Sequence, residues 1–116
     1  MSTRDERSYL HDIVEACHGI RVVLGPADLE AYRADLKTRL AIERELIIIG
    51  EAVARLSPDV TTQWAVSARA VVGMRNILVH GYFKADDARV FEIASQQVEP
   101  VLVDALKSLQ SLGESR

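Results

Sequence analysis

The chain has 116 residues and a net charge of −3, which is one domain's worth of polypeptide and excludes a protein that coats nucleic acid through bulk positive charge. Apolar residues make up 48% but aromatic residues only 5%, and the dominance of Ala, Leu, Val, Ile, Glu and Arg predicts a single all-α domain spanning 1–116 rather than a sandwich. Cys17 is the single cysteine, so an intrachain disulfide and a cysteine zinc site are both excluded. The Met1-Ser2-Thr3-Arg4-Asp5 start is unlike a secretory signal, and the apolar runs Leu46 to Ile49 and Ile77 to Val79 fall far short of the roughly 18 to 20 residues of a membrane span. A soluble, cytoplasmic protein is expected.

Thr3-Arg4-Asp5-Glu6 has the form of a capping box, and Leu10, Ile13, Val14, Cys17, Ile20 and Leu24 follow at helical steps, predicting helix 1 from about Arg4 to Leu24. Gly25-Pro26 ends it, and Asp28 can cap the next helix. Helix 2 is predicted over Leu29 to Leu56. It carries one apolar row of Leu29, Tyr32, Leu36, Leu40, Ile47 and Ala54 and another of Ile42, Leu46, Ile49, Val53 and Leu56, which implies two neighbours. Arg33, Lys37 and Arg44 read as a solvated face of the same helix. Gly50 inside a helix marks a close helix crossing.

Ser57-Pro58-Asp59 is a stop and a restart, suited to a short helical turn. From about Gln63 to His80 the sequence is apolar nearly all round, so this third helix is expected in the middle of the bundle, with Trp64 as a core anchor. Gly81 ends it. Asp86 or Asp87 then caps a last helix whose Phe91, Ala94, Val98, Leu102, Ala105 and Leu109 form the buried row, with a kink expected at Pro100. Four long helices and a short one result. His11 and His18 share a face of helix 1, but no carboxylate cage joins them, and Asp86 and Asp87 suit caps better than metal ligands. Neither a metal nor a cofactor is expected.

The segment Arg75-Asn76-Ile77-Leu78-Val79-His80-Gly81-Tyr82 carries the chemistry. At about 100° per residue, Arg69, Asn76 and His80 fall within about 40° of one another, whereas Arg75 lies about 140° from His80. Either the helix loosens near Gly81, or a second subunit completes the site. An Arg on an apolar row needs a carboxylate or phosphate for its donors, and Glu51 is the candidate partner. A histidine can give or take a proton near neutral pH, Asn76 can orient it or a substrate oxygen, and Tyr82 adds a hydroxyl. The set suffices for metal-free RNA cleavage, with Arg75 neutralising charge on the phosphorane.

Arg75-Asn76-xxx-His80-x-Tyr82 resembles the R-x4-H-x-Y motif of the HEPN superfamily, specifically the toxins encoded beside minimal nucleotidyltransferase antitoxins. Ile47-Ile48-Ile49-Gly50-Glu51-Ala52 is similar to that family's I-I-G-E-A run, Trp64 precedes Gly73-Met74-Arg75-Asn76 as the family's Trp precedes its G-M-R-N, and Asp86 with Phe91 echoes a D-x4-W that follows. Phe91 departs from the usual Trp, and residues 58 to 64 lack the usual Pro before Trp. The resemblance implies a HEPN-like up-and-down helical bundle that forms a homodimer, bringing two motifs to one cleft. It implies a toxin that acts as an endoribonuclease through Arg75, His80 and Asn76, with Glu51 and Arg69 in support. A cognate nucleotidyltransferase antitoxin would neutralise it by transferring AMP to Tyr82. Two alternatives stand beside this reading: a non-catalytic subunit that binds nucleotide or substrate for a nucleotidyltransferase, and a dimerising helical scaffold.

Overall fold

Helix α1 (Glu6–Leu24) begins where the Asp5 carboxylate accepts the Ser8 amide at 3.1 Å, satisfying one of the donors that a first turn leaves unpaired. The cap falls on Asp5, and the expected start at Thr3 lies outside the described residues; the computed structural model describes residues 5–81 and 86–113. At the other end Gly25 takes φ 51°, and its amide returns to the Arg21 carbonyl, a left-handed conformation that glycine adopts without steric cost. Asp28 caps α2 (Leu29–Ala34) by accepting the Ala31 amide at 2.9 Å.

The long helix expected from Leu29 to Leu56 is broken at Asp35. This residue leaves helical geometry (φ −114°, ψ 100°), closing α2 and capping α3 (Leu36–Ala54). Its carboxylate accepts the Lys37 and Thr38 amides and the Thr38 hydroxyl, and the hydroxyl bond above all holds the Asp35 carboxyl below its usual range. Such local side-chain bonds compete directly with a continuous helix. Beyond the break only one of the two expected rows is buried. Ile42, Leu46, Ile49, Val53 and Leu56 enter the core, while Leu36 and Leu40 stand 56% and 57% exposed. Tyr32 is fully buried, its ring 5.7 Å from that of Phe91.

The short turn after Ser57 is α4 (Pro58–Thr61), with Pro58 at its start. The Ser57 amide donates to Glu6 at 3.0 Å, while an added Cβ on Gly19 would meet Glu45, so α1 and α3 run antiparallel. Helix α5 (Ala68–His80) is capped by the Ser67 hydroxyl, which accepts the Ala70 amide at 3.1 Å. It starts five residues later than the expected Gln63 because other partners claim the preceding amides. Asp104, itself buried, accepts the Ala65 amide at 3.2 Å and the Val66 amide at 2.9 Å, and the Trp64 indole donates to Ser108 at 2.9 Å.

Asp86 caps α6 (Asp87–Glu92), which continues through a π turn (Ile93–Gln97) into α7 (Val98–Ser111). Pro100 lies in the first turn of α7, where a missing amide is tolerated. The widened turn just upstream stands where a plain kink was expected, a local departure from α geometry of the kind that bends helices. Cys17 meets the Val98 carbonyl and Arg21 pairs with Glu99, fixing α7 on α1. The middle of this all-α bundle is therefore α1, packed between α3 and α7. Helix α5 packs mainly on α3 and buries Leu78 alone, so its expected central position is corrected. Burial pushes the Cys17 thiol up to about 12, which suits a core side chain rather than a reactive one. Among the described residues no helix is long and apolar enough to cross a membrane.

The clamp from α7 to the segment before α5 sets where α5 begins. Replacing Asp104 by Ala leaves two backbone donors without their acceptor, with an expected loss of about 2–4 kcal/mol in urea unfolding. Asp104→Asn, which retains one acceptor oxygen, is expected to lose less. Equal stability of Asp104→Ala and the native chain contradicts the clamp.

Candidate active site

The motif helix meets α3 where Gly50 faces Arg75, so the Arg75 side chain leaves α5 across the edge of α3. There its Nη2 lies 3.8 Å from a Glu51 carboxylate oxygen, with the two side chains 29% and 47% exposed. Its Nη1 donates to Asn76 Oδ1 at 2.6 Å. Arg75, Asn76 and Glu51 thus form one cluster, in which the sequence suggested the approach of Glu51 to Arg75 and not that of Asn76. The Asn76 amide turns a guanidinium that starts on the α3 side of α5 towards the open face.

His80 does not join that cluster. The backbone stays α-helical through His80, and the Gly81 amide completes an ordinary bond to the Ile77 carbonyl at 2.8 Å. Of the two ways to bring Arg75 and His80 together, loosening of the helix end is therefore not realised. The two residues remain about 140° apart around the axis. His80 and Arg69 are both exposed, on the same side as Asn76. Tyr82 lies outside the described residues.

The opposite flank of α5 borders an apolar groove of about 390 Å³, walled by Met74 and Ile77 on one side and by Val90, Ile93 and Val98 on the other. Ile77 and Val79 are 45% and 38% exposed, so apolar surface lies to either side of the motif. Elsewhere, His11 and His18 stand exposed on α1. Among the described residues no group of three or more His, Cys, Asp or Glu side chains could hold a metal ion. Sequence reasoning missed Asp104, which positions α5 from a distance; an acid one residue before Ala105 of the buried row was its only signal.

Residues 13–109 match the family described as Ribonuclease HepT-like. Two Methanocaldococcus jannaschii proteins named as candidate RNases are similar. One is 31% identical over 102 residues, covering 87% of this chain and 94% of the relative. The other is 28% identical over 115 residues, covering 98% and 99%. A Thermococcus cleftensis protein named for ribonuclease HepT is 37% identical over 90 residues, 72% of this chain and 76% of its own length. No solved structure matches the chain significantly.

The Glu51–Arg75 contact is long and open to water on the Glu51 side, so its role should lie in orientation and not in stability. Glu51→Gln is expected to change unfolding free energy by less than about 1 kcal/mol. A larger drop in a denaturant titration contradicts that assignment.

Proposed function

The chain belongs to the HepT-like ribonuclease family, and on that premise we propose that it is a toxin whose activity is metal-independent cleavage of RNA by Arg75, Asn76 and His80. The observation that carries this reading is the Arg75–Asn76–Glu51 cluster at the start of the motif. A guanidinium partly exposed and oriented by neutral and acidic partners is suited to a phosphate, whose oxygens it can hold through two donors.

The chemistry needs no further group. A base takes the proton of the ribose 2′-hydroxyl, the 2′-oxygen attacks phosphorus, and Arg75 offsets the charge that builds on the phosphorane oxygens. An acid gives its proton to the departing 5′-oxygen as the P–O5′ bond breaks. A 2′,3′-cyclic phosphate and a 5′-hydroxyl result, and DNA, lacking the nucleophile, is spared. His80 is the proton-transfer group of the motif, with Asn76 between it and Arg75 and Arg69 supplying positive charge for neighbouring phosphates.

The working unit is a homodimer. What supports this is the unbroken helix to Gly81, which keeps Arg75 and His80 of one chain on different faces, together with exposed Ile77 and Val79 beside the motif. A second copy can bring its His80 to the first copy's Arg75 and cover that apolar surface. The partner that controls the toxin is a minimal nucleotidyltransferase. It transfers AMP from ATP to the Tyr82 hydroxyl with release of pyrophosphate, setting a charged, bulky phosphodiester beside the site.

Arg75→Ala and His80→Ala are each expected to lose about 10²–10⁴-fold in RNA cleavage, with melting temperatures close to that of the native chain. The native protein is expected to cut in EDTA. Retention of full cleavage by both variants contradicts the site, and RNA binding without any cleavage favours a nucleotide-binding subunit instead. For control, incubation with the neighbouring nucleotidyltransferase and ATP is expected to add AMP in intact-mass spectra of the native chain and not of Tyr82→Phe. Equal addition to both places the modification elsewhere.

A further inference from the structure

Resting on the ribonuclease reading, we propose that Gly50 is a positioning residue for RNA cleavage: its missing side chain lets Arg75 lie against α3 with its guanidinium delivered to Asn76 and Glu51. A Cβ placed on Gly50 would stand 2.2 Å from Arg75 Cβ, 2.8 Å from Arg75 Cγ and 3.4 Å from the Val71 carbonyl oxygen. The first of these atoms is fixed by the α5 backbone, so no rotation of the Arg75 side chain relieves the overlap. Only displacement of α5 does.

The other helical glycines show how specific this is. A Cβ on Gly19 meets the flexible end of Glu45 at 3.2 Å, and one on Gly73 meets nothing within 4 Å. At Gly50 alone the space is taken by the stem of a motif residue. The wedge has a second consequence, because Arg75 Nε is buried and, among the described residues, has no hydrogen-bond partner. The guanidinium then presents its terminal nitrogens outward, Nη1 to Asn76 at 2.6 Å and Nη2 towards Glu51 at 3.8 Å.

A glycine in a helix interior and a buried donor without an acceptor each disfavour the folded state. Here both meet at one crossing, where the glycine admits the stem of Arg75. Local concessions of this kind concentrate where geometry serves function. Gly50 thus fixes how far Arg75 projects from α3, and with it the separation between the guanidinium and a phosphate held on the open face. Glu51, the next residue, sets its direction.

The test compares Gly50→Ala with Gly19→Ala in the full chain, using single-turnover and steady-state cleavage of RNA. Displacement of a positioned group by about 1 Å is expected to lower kcat by about 100-fold, and KM should stay within about threefold because no side chain that meets RNA is removed. Gly19→Ala should cut at the native rate. An independent spectroscopic readout is the Arg75 Nε–H resonance, identified by its loss in Arg75→Lys. It should exchange slowly with solvent in the native chain and rapidly in Gly50→Ala.

Should Gly50→Ala fail to fold, Gly50→Ala with Arg75→Gly decides the matter. Removing the Cβ at position 75 removes the overlap, so the double variant should melt at or somewhat above the temperature of Arg75→Gly alone; a double variant as unstable as Gly50→Ala overturns the proposal. Native kcat in a folded Gly50→Ala, with the Nε–H still protected, also overturns it. If the native protein cuts no RNA, the ribonuclease reading itself falls, a result distinct from either.

Discussion

A straight α-helix separates its side chains by a fixed angle, and α5 keeps that angle to its last residue. The bond from the Gly81 amide to the Ile77 carbonyl, 2.8 Å long, denies the motif any unwinding at its C-terminal end. Arg75 must then face the α3 side while His80 faces outward with Asn76 and Arg69. This one constraint gives the site its form: a guanidinium held at a helix crossing, a histidine on the next face, and an asparagine between them reaching back to the guanidinium. A single chain built this way keeps Arg75 and His80 on separate faces of one helix.

The rest of the fold fixes α5 in place. Its side is set by the crossing on α3, where Gly50 admits Arg75, and its start by the Asp104 carboxylate on α7, which takes the Ala65 and Val66 amides. Both supports lie outside the motif. Helix α1 carries the core between α3 and α7, leaving α5 on a flank with its apolar surface open to a partner. A helix that is to face RNA and a second copy, as proposed above, gains from that peripheral position. A central helix would have spent its faces on the core.

Much of this was legible from local chemistry. Gly25, Asp28 and Asp86 act at the helix ends where their residue types suggest, the row from Ala94 to Leu109 is buried, and Glu51 does approach Arg75. Gly50 did mark a close crossing, although which residue filled the gap depended on the tertiary fold. The misreadings share a cause. Asp35 breaks the second helix through bonds to Thr38 that an Asp in any helical run could make or forgo. Leu36, Leu40, Ile77 and Val79 are apolar yet exposed, and hydrophobic periodicity does not distinguish a side chain meant for the core from one left for an interface. Asp104 acts across the fold, beyond any local pattern.

The central claim is that Arg75 and His80 work together only across two copies. It is tested most directly by mixing inactive Arg75→Ala and His80→Ala proteins after unfolding and refolding them together, then measuring RNA cleavage. Hybrid dimers would contain one site with both groups intact, so the mixture should recover about a quarter of native activity, given random pairing of the two chains. A mixture as inert as its parents, with hybrid dimers shown to be present, contradicts the shared site.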